Sequence, residues 1–453
     1  MDSNVRGEIF EKGIKVVDEN GSPIKINRFI ADGGQGEVYH VTYRGNDYAL
    51  KWYCKSSSDV IGGAQYQTIS GMYGEKKRPS DRFIWPLYMV TEEKPEKGKK
   101  FGYLMPLLPE GYYEMERFLR NDADGRAVRF KSFNAKLTAG MNIARGMKEL
   151  HVMKGFSYKD LNPRNFAINP ETGDVKIVDN DNVSVDGSPC SVKGTKGFMA
   201  PEIPRSRYKQ NPGIDTDYYS LAVVLYELFC IDHPMEGKTW EKYPLCTDTV
   251  EEHLYAIKPV FHFDPENDSN RPTDVYAPNA YERFMSLPRE LRMTFITVFT
   301  EGIENVNKRP PEIEWISVIS RARDTLIKLA SGKERFVNFS VPESVPPGCL
   351  GLKIGGNKIA MYPHKALYQI AVDGNDREFT KIYGGIVYDK NIKSLAIRNM
   401  SPKIWTCYSP VTKQKSDLER GQEFPISPGV QILFQRENPK IVGVVFDPKT
   451  MNN

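Results

Sequence analysis

The stretch Phe156-Ser157-Tyr158-Lys159-Asp160-Leu161-Asn162-Pro163-Arg164-Asn165, with Val178-Asp179-Asn180-Asp181 shortly after it, constrains this chain more than any other. An Asp five residues ahead of an Asn, and a second Asp closing an apolar run, suit phosphoryl transfer. One carboxylate can orient a hydroxyl and accept its proton, while the amide oxygen and the second carboxylate can hold magnesium ions on nucleotide phosphates. Asp and Asn are also common in turns, so the weight of the pattern lies in what flanks it.

Upstream, Ile30-Ala31-Asp32-Gly33-Gly34-Gln35-Gly36-Glu37-Val38-Tyr39 reads as strand, turn and strand. Three glycines there allow close approach of backbone N–H groups to phosphates, or simply make a Gly-rich hairpin. Fifteen residues after Gly36, Tyr48-Ala49-Leu50-Lys51 is a strand ending on a lysine that can neutralise phosphate oxygens. The first 30 residues alternate as strands and hairpins with a turn at Glu19-Asn20-Gly21, and a further turn falls at Gly45-Asn46-Asp47. Residues 59–75 should form a helix, yet Val60 to Gly74 contain no acid; Gln65 and Gln67 stand where one would be expected. Asp81 to Leu87 has strand character, Thr91 to Lys100 is a charged turn, and Phe101 to Leu108 is a strand entering a hinge at Pro106 and Pro109. Leu137, Met141, Ala144, Met147 and Leu150 mark a helix from about Ala135 to His151.

Downstream, Asn182 to Lys193 is loop-like and closes on Gly194-Thr195-Lys196-Gly197-Phe198-Met199-Ala200-Pro201-Glu202. Asp215 to Ser220 caps an apolar helix, Leu221 to Phe229, whose composition demands burial. Residues 231–288 show little periodicity. Arg309 precedes Pro310-Pro311, and Trp315, Ile319, Ala322, Leu326 and Leu329 form one face of a closing helix.

Composition narrows the partners. A formal net charge of +4 over 453 residues gives no case for nucleic acid. The apolar run Leu221 to Ile231 is too short to span a bilayer, and Met1 to Arg6 lacks the apolar core of a leader peptide, so no membrane partner is expected. Six cysteines without a C-x-x-C pair read as reduced thiols of a cytoplasmic protein. The six histidines show no metal-ligand spacing, and His151 reads as a packed core residue.

Residues from about 25 to 330 resemble the eukaryotic-type protein kinase family in motif order and spacing. Gly33, Gly36 and Val38 resemble the later part of its G-x-G-x-x-G-x-V loop, with Ala31 in place of the first glycine. Lys51 resembles the strand lysine, Tyr158-Lys159-Asp160 its H-R-D, Asn165 its metal-binding Asn, and Asp179 the Asp of D-F-G. Ala200-Pro201-Glu202 is its A-P-E. Asp217 stands for the buried Asp of the following helix, and Arg309 for the arginine paired with the A-P-E glutamate. More narrowly, Asp-Asn-Asp-Asn-Val in place of D-F-G, with Phe263-Asp264-Pro265 and Ser269-Asn270-Arg271-Pro272, resembles a group of bacterial kinases. These act beside von Willebrand factor A-type proteins and metal-dependent Ser/Thr phosphatases in tellurite-resistance-type modules.

The resemblance implies a bilobal kinase-like fold, and the alternating runs after it a small all-β sandwich, so the expected architecture is α+β. Its expected divisions are an N-lobe at 1–108, a C-lobe at 109–330 and the sandwich at 336–449. The resemblance implies ATP and Mg2+ as cofactors and a protein substrate. The implied catalytic residues are Asp160, Lys51, Arg164, Asn165 and Thr195. Asn165 and Asp179 are the implied metal ligands. Ala31, Gly33, Gly34, Gly36, Val38, Ala49, Lys51 and Met105 are the implied nucleotide contacts.

Four departures bear on mechanism. The helix acid that pairs with the lysine is missing, and the lysine two residues after the catalytic Asp is Asn162. Arg164 is placed as the arginine of tyrosine kinases is, where it can meet γ-phosphate charge or pair with a surface acid. Thr195, however, resembles the Gly-Thr of Ser/Thr kinases and favours Ser/Thr acceptors. Asp181, in place of the D-F-G glycine, reads as a turn residue or as an extra acid near the metals.

After a linker at Ala330 to Arg335, short alternating runs recur at Cys349–Ile354, Leu367–Val372, Ile382–Tyr388, Ser394–Ile397, Ile404–Tyr408, Val430–Phe434 and Ile441–Phe446. Ile397 to Ser401 and Gly421 to Phe434 distantly resemble forkhead-associated domains, which read phosphothreonine; an ordinary docking or dimerising sandwich is the other reading. Three function classes follow: an active Ser/Thr kinase, a pseudokinase or nucleotide-sensing scaffold, and a small-molecule kinase. Ala200-Pro201-Glu202 speaks against the third. Joint retention of Lys51, Asp160, Asn165 and Asp179 speaks against the second.

Overall fold

The computed structural model describes residues 6–120, 125–153, 155–190, 193–389, 393–435 and 440–450. Most of the segment searched for a leader peptide, Met1 to Val5, lies outside the described residues, as do Ser191 and Val192 of the polar loop.

The first unit is one antiparallel six-stranded sheet, formed by β1 (Val16–Asp18), β2 (Lys25–Asp32), β3 (Gly36–Tyr43), β4 (Asn46–Tyr53), β5 (Tyr88–Glu92) and β6 (Phe101–Met105) in the order β1-β5-β6-β4-β3-β2. A short helix, α1 (Glu8–Lys12), precedes them where alternation alone suggested strand. The β3–β4 hairpin turns on Arg44 and Gly45, both at positive φ, one residue earlier than the sequence reading. That pair of conformations suits a two-residue hairpin whose twist matches its strands. Helix α2 (Ala64–Met72) packs Ile69 and Met72 beneath the sheet. Asp81 to Leu87 is not a full strand: only Phe83 bridges to Ile177, and the Arg82 carbonyl and Ile84 N–H hydrogen-bond the Ile177 backbone. This extended segment ties the first unit to the strand that delivers Asp179.

The second unit is helical. The helix Phe133–Val152 starts on Ser132, whose side chain accepts from the Ala135 N–H at 3.0 Å. It buries Leu137, Met141, Ala144, Met147 and Leu150, the expected stripe, against the helix Ile214–Cys230. Gly140 sits at this crossing; a Cβ there would come within 3.0 Å of the Phe229 ring. The apolar helix begins earlier than expected, at Ile214. Asp215 to Ser220 form its first turns, and Thr216 Oγ1 accepts from the Gly213 N–H at 2.9 Å. In the aperiodic region 231–288, side chains supply what regular ladders would. Buried Asn270 donates to the Met235 and Val260 carbonyls and accepts from the Thr239 N–H. The closing helix is Glu312–Thr325.

The third unit stacks a six-stranded and a four-stranded antiparallel sheet over a core that includes Trp405, Ile397, Ile432 and Phe434. Six of the seven expected runs are strands. Leu367–Val372 is the exception: only Ala366–Tyr368 is strand, and Gln369–Asp373 is a helix closed by Gly374 at φ 72°. The sequence between Ala330 and Arg335 is mostly the turn of a hairpin joining Leu326–Lys328 to Glu334–Phe336. Ile370 and Phe379 of the third unit belong to the helical core. Described cysteines are all free, and among the described residues no helix is long and apolar enough to cross a membrane.

One buried network fixes the loop that precedes Asp160. Asp217, on the apolar helix, accepts from the backbone N–H groups of Tyr158 and Lys159, the latter at 2.9 Å. His151 bridges Asp217 (3.1 Å) and Glu312. Burial disfavours the imidazolium, but these two carboxylates outweigh burial and push its pKa up to about 9. Because that value lies above the ordinary 6.5, the stabilisation is complete below about pH 6.5 and is lost as pH rises through about 9. Urea unfolding between pH 6 and 10 is therefore expected to show stability falling with pH, by at most about 1.4 kcal/mol per unit from this one proton. His151→Gln should flatten that slope; an unchanged slope would remove His151 as its source.

Candidate active site

Cross-strand neighbours in an antiparallel pair point to the same side of a sheet, and residues two apart in a strand share a face. In β4, Ala49, Lys51 and Tyr53 share one face. Val38 and Tyr103 stand opposite Lys51, and Met105 stands opposite Ala49. The register therefore sets Ala49 and Met105 at one end of this face, Tyr53 at the other, and Val38, Lys51 and Tyr103 in the row between. Ala31, Gly33 and Gly34 are exposed where β2 turns into β3, and the Gly33 N–H bonds the Gly36 carbonyl at 2.8 Å. Only Gly36 is sterically obliged to be glycine: a Cβ there would lie 2.1 Å from the Trp52 carbonyl oxygen. Gly34 faces open space.

Across the cleft, Asp160 and Asn165 bracket a tight turn, Pro163–Asn165, capped by the Asn162 side chain, which accepts from the Arg164 N–H at 3.0 Å. Thr195 donates to Asp160 Oδ1 at 2.7 Å, and Asn162 Nδ2 lies 3.3 Å from the Thr195 hydroxyl. Asn162, which stands where a lysine was expected, thus braces the loop. Burial raises the Asp160 carboxyl pKa and the charge of Asp179 adds to this, while the Thr195 hydrogen bond opposes them. A carboxyl held up in this way is better matched to accepting a hydroxyl proton.

Tyr158, in the place of a histidine, is fully buried and donates to the Val178 carbonyl. It also accepts from Asn165 Nδ2 at 3.0 Å, which fixes the Asn165 amide. Asp179 follows in left-handed conformation at φ 56°. Asn180, where D-F-G has an aromatic ring, is buried and donates to the Ile84 carbonyl at 2.9 Å. Arg309 grips Glu202 with two bonds of 2.7 and 2.8 Å, the expected pairing.

Lys51 reaches across the cleft. Its ammonium contacts Asp179 Oδ1 at 2.6 Å and Asp181 Oδ2 more closely still. Burial alone would lower its pKa, but Asp181 and Asp179 overcome this and raise it. Asp181 does lie in a turn, Asn180–Asn182, yet its side chain is 0% exposed and also accepts from the hydroxyls of Tyr53 and Tyr103. Burial next to Asp181 pushes both phenols well above their ordinary pKa. Gln65 of α2 donates to the Asp181 carbonyl at 3.0 Å, whereas Gln67 is exposed. Sequence reasoning missed this role of Asp181, and with it Tyr53 and Tyr103; it had singled out Gln65 only as standing in the place of the absent acid. The available signal was an acid two residues after Asp179 in a chain whose helix lacks one.

Arg164 is placed differently from the γ-phosphate expectation. Its side chain is 75% exposed and its charged partner is Glu116, at 3.5 Å. Among the described residues, no group of three or more His, Cys, Asp or Glu could hold a metal ion on its own. Asn165 and Asp179 fit magnesium by donor chemistry, as one amide and one carboxylate oxygen that leave positions for phosphate and water.

A profile described as the protein kinase domain matches residues 24–286. The chain is 28% identical over 242 residues to the "RGS domain-containing serine/threonine-protein kinase A" of Dictyostelium discoideum, covering 49% of this chain and 18% of that protein. It is 24% identical over 221 residues to the "Serine/threonine-protein kinase WNK8" of Arabidopsis thaliana, covering 48% of this chain and 37% of the relative. The chain thus spans less than half the length of these curated relatives. Among solved structures it is similar to "ROP18 kinase domain in complex with AMP-PNP and sucrose", at 16% identity and TM-score 0.44, covering 68% of this chain and 84% of that one. With the kinase-domain profile matching more than half of its length, on this two-unit frame, the chain belongs to the protein kinase family.

Proposed function

We propose that this protein uses ATP and magnesium to phosphorylate Ser/Thr hydroxyls of a protein substrate. The observation that carries the reading is the convergence of Asp160, hydrogen-bonded to Thr195, with Lys51 and Asp179 across one cleft. In this reading Val38, Ala49 and Met105 cover the base, and the Ala31 to Gly36 turn lies over the phosphates. Lys51 takes phosphate oxygens, and Asn165 and Asp179 would hold magnesium, which would neutralise charge on the phosphates. The acceptor oxygen bonds to the γ-phosphorus, the bond to the β–γ bridging oxygen breaks, and ADP leaves with that oxygen. The hydroxyl proton passes to Asp160. Thr195 holds Asp160 in line and fits a Ser/Thr rather than a Tyr acceptor.

The finer setting is a cytoplasmic bacterial signalling module with a von Willebrand A-type protein and a metal-dependent Ser/Thr phosphatase; the Asp179-Asn180-Asp181 run supports it. The divisions 1–108, 109–330 and 336–449 go with the same reading. A nucleotide-sensing scaffold is the second reading, favoured by Ala31 and by the helix that lacks an acid. Incubation of the protein with labelled ATP, magnesium and candidate proteins separates the two, since a scaffold binds nucleotide without transferring label.

Asp160→Asn is expected to abolish transfer while ATP affinity stays within a few-fold of wild type; full activity in that variant removes Asp160 as the base. In calorimetry, Asp179→Ala should lose the magnesium-dependent part of ATP affinity, and unchanged affinity in magnesium would place the metal elsewhere. Arg164→Ala is expected to change kcat little, at ~1 kcal/mol or less for an exposed ion pair. A loss nearer ~10²–10³ would return Arg164 to the γ-phosphate.

A further inference from the structure

Transfer needs the Lys51 ammonium held at one point in the cleft, and an opposite carboxylate is what holds it. Protein kinases draw that carboxylate from the helix after the lysine strand. Here α2 runs Ala64–Met72, and nothing from Val60 to Gly74 is acidic. Two acids reach Lys51 instead, and their surroundings differ. Asp179 is 49% exposed, so it can leave the lysine for a metal and water. Asp181 is 0% exposed and saturated: Lys51 and Tyr53 share Oδ2, Tyr103 takes Oδ1, and Gln65 holds the backbone carbonyl at 3.0 Å. Separating a buried ion from its partner is far more costly than separating an exposed pair, so the two contacts cannot be exchanged with equal ease.

Building on the kinase reading, we propose that Asp181 is the positioning residue for Lys51 during transfer, supplying from the metal-binding segment the carboxylate that the helix lacks. Asp179, half exposed, is then left to hold a metal, while Lys51 stays on Asp181. Gln65, in α2, supports Asp181 through its main chain and through the Tyr53 hydroxyl at 3.3 Å. Alignment of Lys51 therefore depends on the Asn180–Asn182 turn and the two tyrosines, with α2 contributing a neutral amide rather than a charge.

The test compares wild type, Asp181→Asn and the double variant Asp181→Asn/Gln65→Glu, which returns an acid to the helix. Asp181→Asn should lower kcat by ~10²–10³, the scale for losing one preorganised charge contact, with KM for ATP within about threefold. The double variant should regain at least about tenfold in kcat, which mere repair of packing would not give. A wild-type kcat in Asp181→Asn overturns the proposal, and so does an equal loss in the single and double variants, whether or not the single variant folds. Should wild type transfer no phosphate to any acceptor, the kinase reading fails, and a second arm still decides the role of Asp181. That arm reads the rate at which acetic anhydride acetylates Lys51 at one pH, by mass spectrometry. Loss of the buried carboxylate contact should free the ammonium and speed acetylation at least about tenfold in Asp181→Asn, and an unchanged rate overturns the pairing.

Discussion

An ammonium withdrawn from water must be matched by carboxylate, and in this protein that requirement organises the cleft. Lys51 is 11% exposed, too little for water to carry its charge. The chain answers with two acids, two residues apart in one segment, and with two tyrosines whose hydroxyls complete the buried one. Tyr53 is two residues from Lys51 in β4, and Tyr103 faces Lys51 from β6, so sheet register alone brings both phenols to Asp181. The segment Asp179 to Asp181 is in turn fixed from behind. Tyr158 donates to the Val178 carbonyl, and Asn180 to that of Ile84. A polar Asn stands there in place of an aromatic ring: its amide protons meet the Ile84 and Ile177 carbonyls, while its own Oδ1 is buried without a hydrogen-bond partner.

The catalytic loop is held by the opposite device, a carboxylate from below. Asp217 takes two consecutive backbone N–H groups, and His151 and Glu312 complete a buried acid–base–acid set behind it. His151 was read as a core residue, and it is one; its partners make it charged as well as packed. Burial raises the Asp160 carboxyl, whereas Asp217 and Glu312 hold the His151 imidazolium up to about 9, so loss of stability toward high pH reports His151.

Motifs with fixed short spacing were legible. Asp160 and Asn165 belong to one turn, and Lys51 to one strand, so local pattern sufficed to select them. Ala49 and Met105 were named only from the resemblance; the β4–β6 register sets them opposite one another. What was not legible depends on distant chain segments. Nothing near Asp181 announces that Tyr53 and Tyr103 will meet it, since 128 and 78 residues separate them. Arg164 shows the converse: its sequence neighbours argue for the phosphate, whereas the fold gives it Glu116 and solvent. The run Leu367–Val372 failed for another reason. Short apolar runs do not distinguish strand from buried helix, and the stop signal, Gly374 with its N–H on the Ile370 carbonyl, lay just beyond it. Polar strands such as Lys415–Leu418 were missed because pairing with Trp405–Tyr408, not apolar alternation, makes them strands.

The third unit is docked on the same two helices that end in the network behind the catalytic loop. Arg145 and Lys148, on the last two turns before His151, reach Asp376 at 2.6 and 2.7 Å. Arg323, on the helix that starts with Glu312, is fully buried, stacks 3.5 Å from the Tyr368 ring centroid and donates to the Phe379 carbonyl. Lys365 caps the end of that helix through the Arg323 and Leu326 carbonyls, where the helix dipole favours a cation. Burial raises the Asp324 carboxyl in the same contact, opposed by Lys365 and Arg323. These are partly or wholly desolvated charges on helix faces, and removing the β unit would leave Arg323 and Asp324 to be resolvated together. The helices Phe133–Val152 and Glu312–Thr325 pack directly on each other, and that packing brings His151 to Glu312. The third unit clasps both helices through Asp376 and Arg323, while both Asp324 carboxylate oxygens are buried without a hydrogen-bond partner, a desolvation cost that the fold carries at this contact.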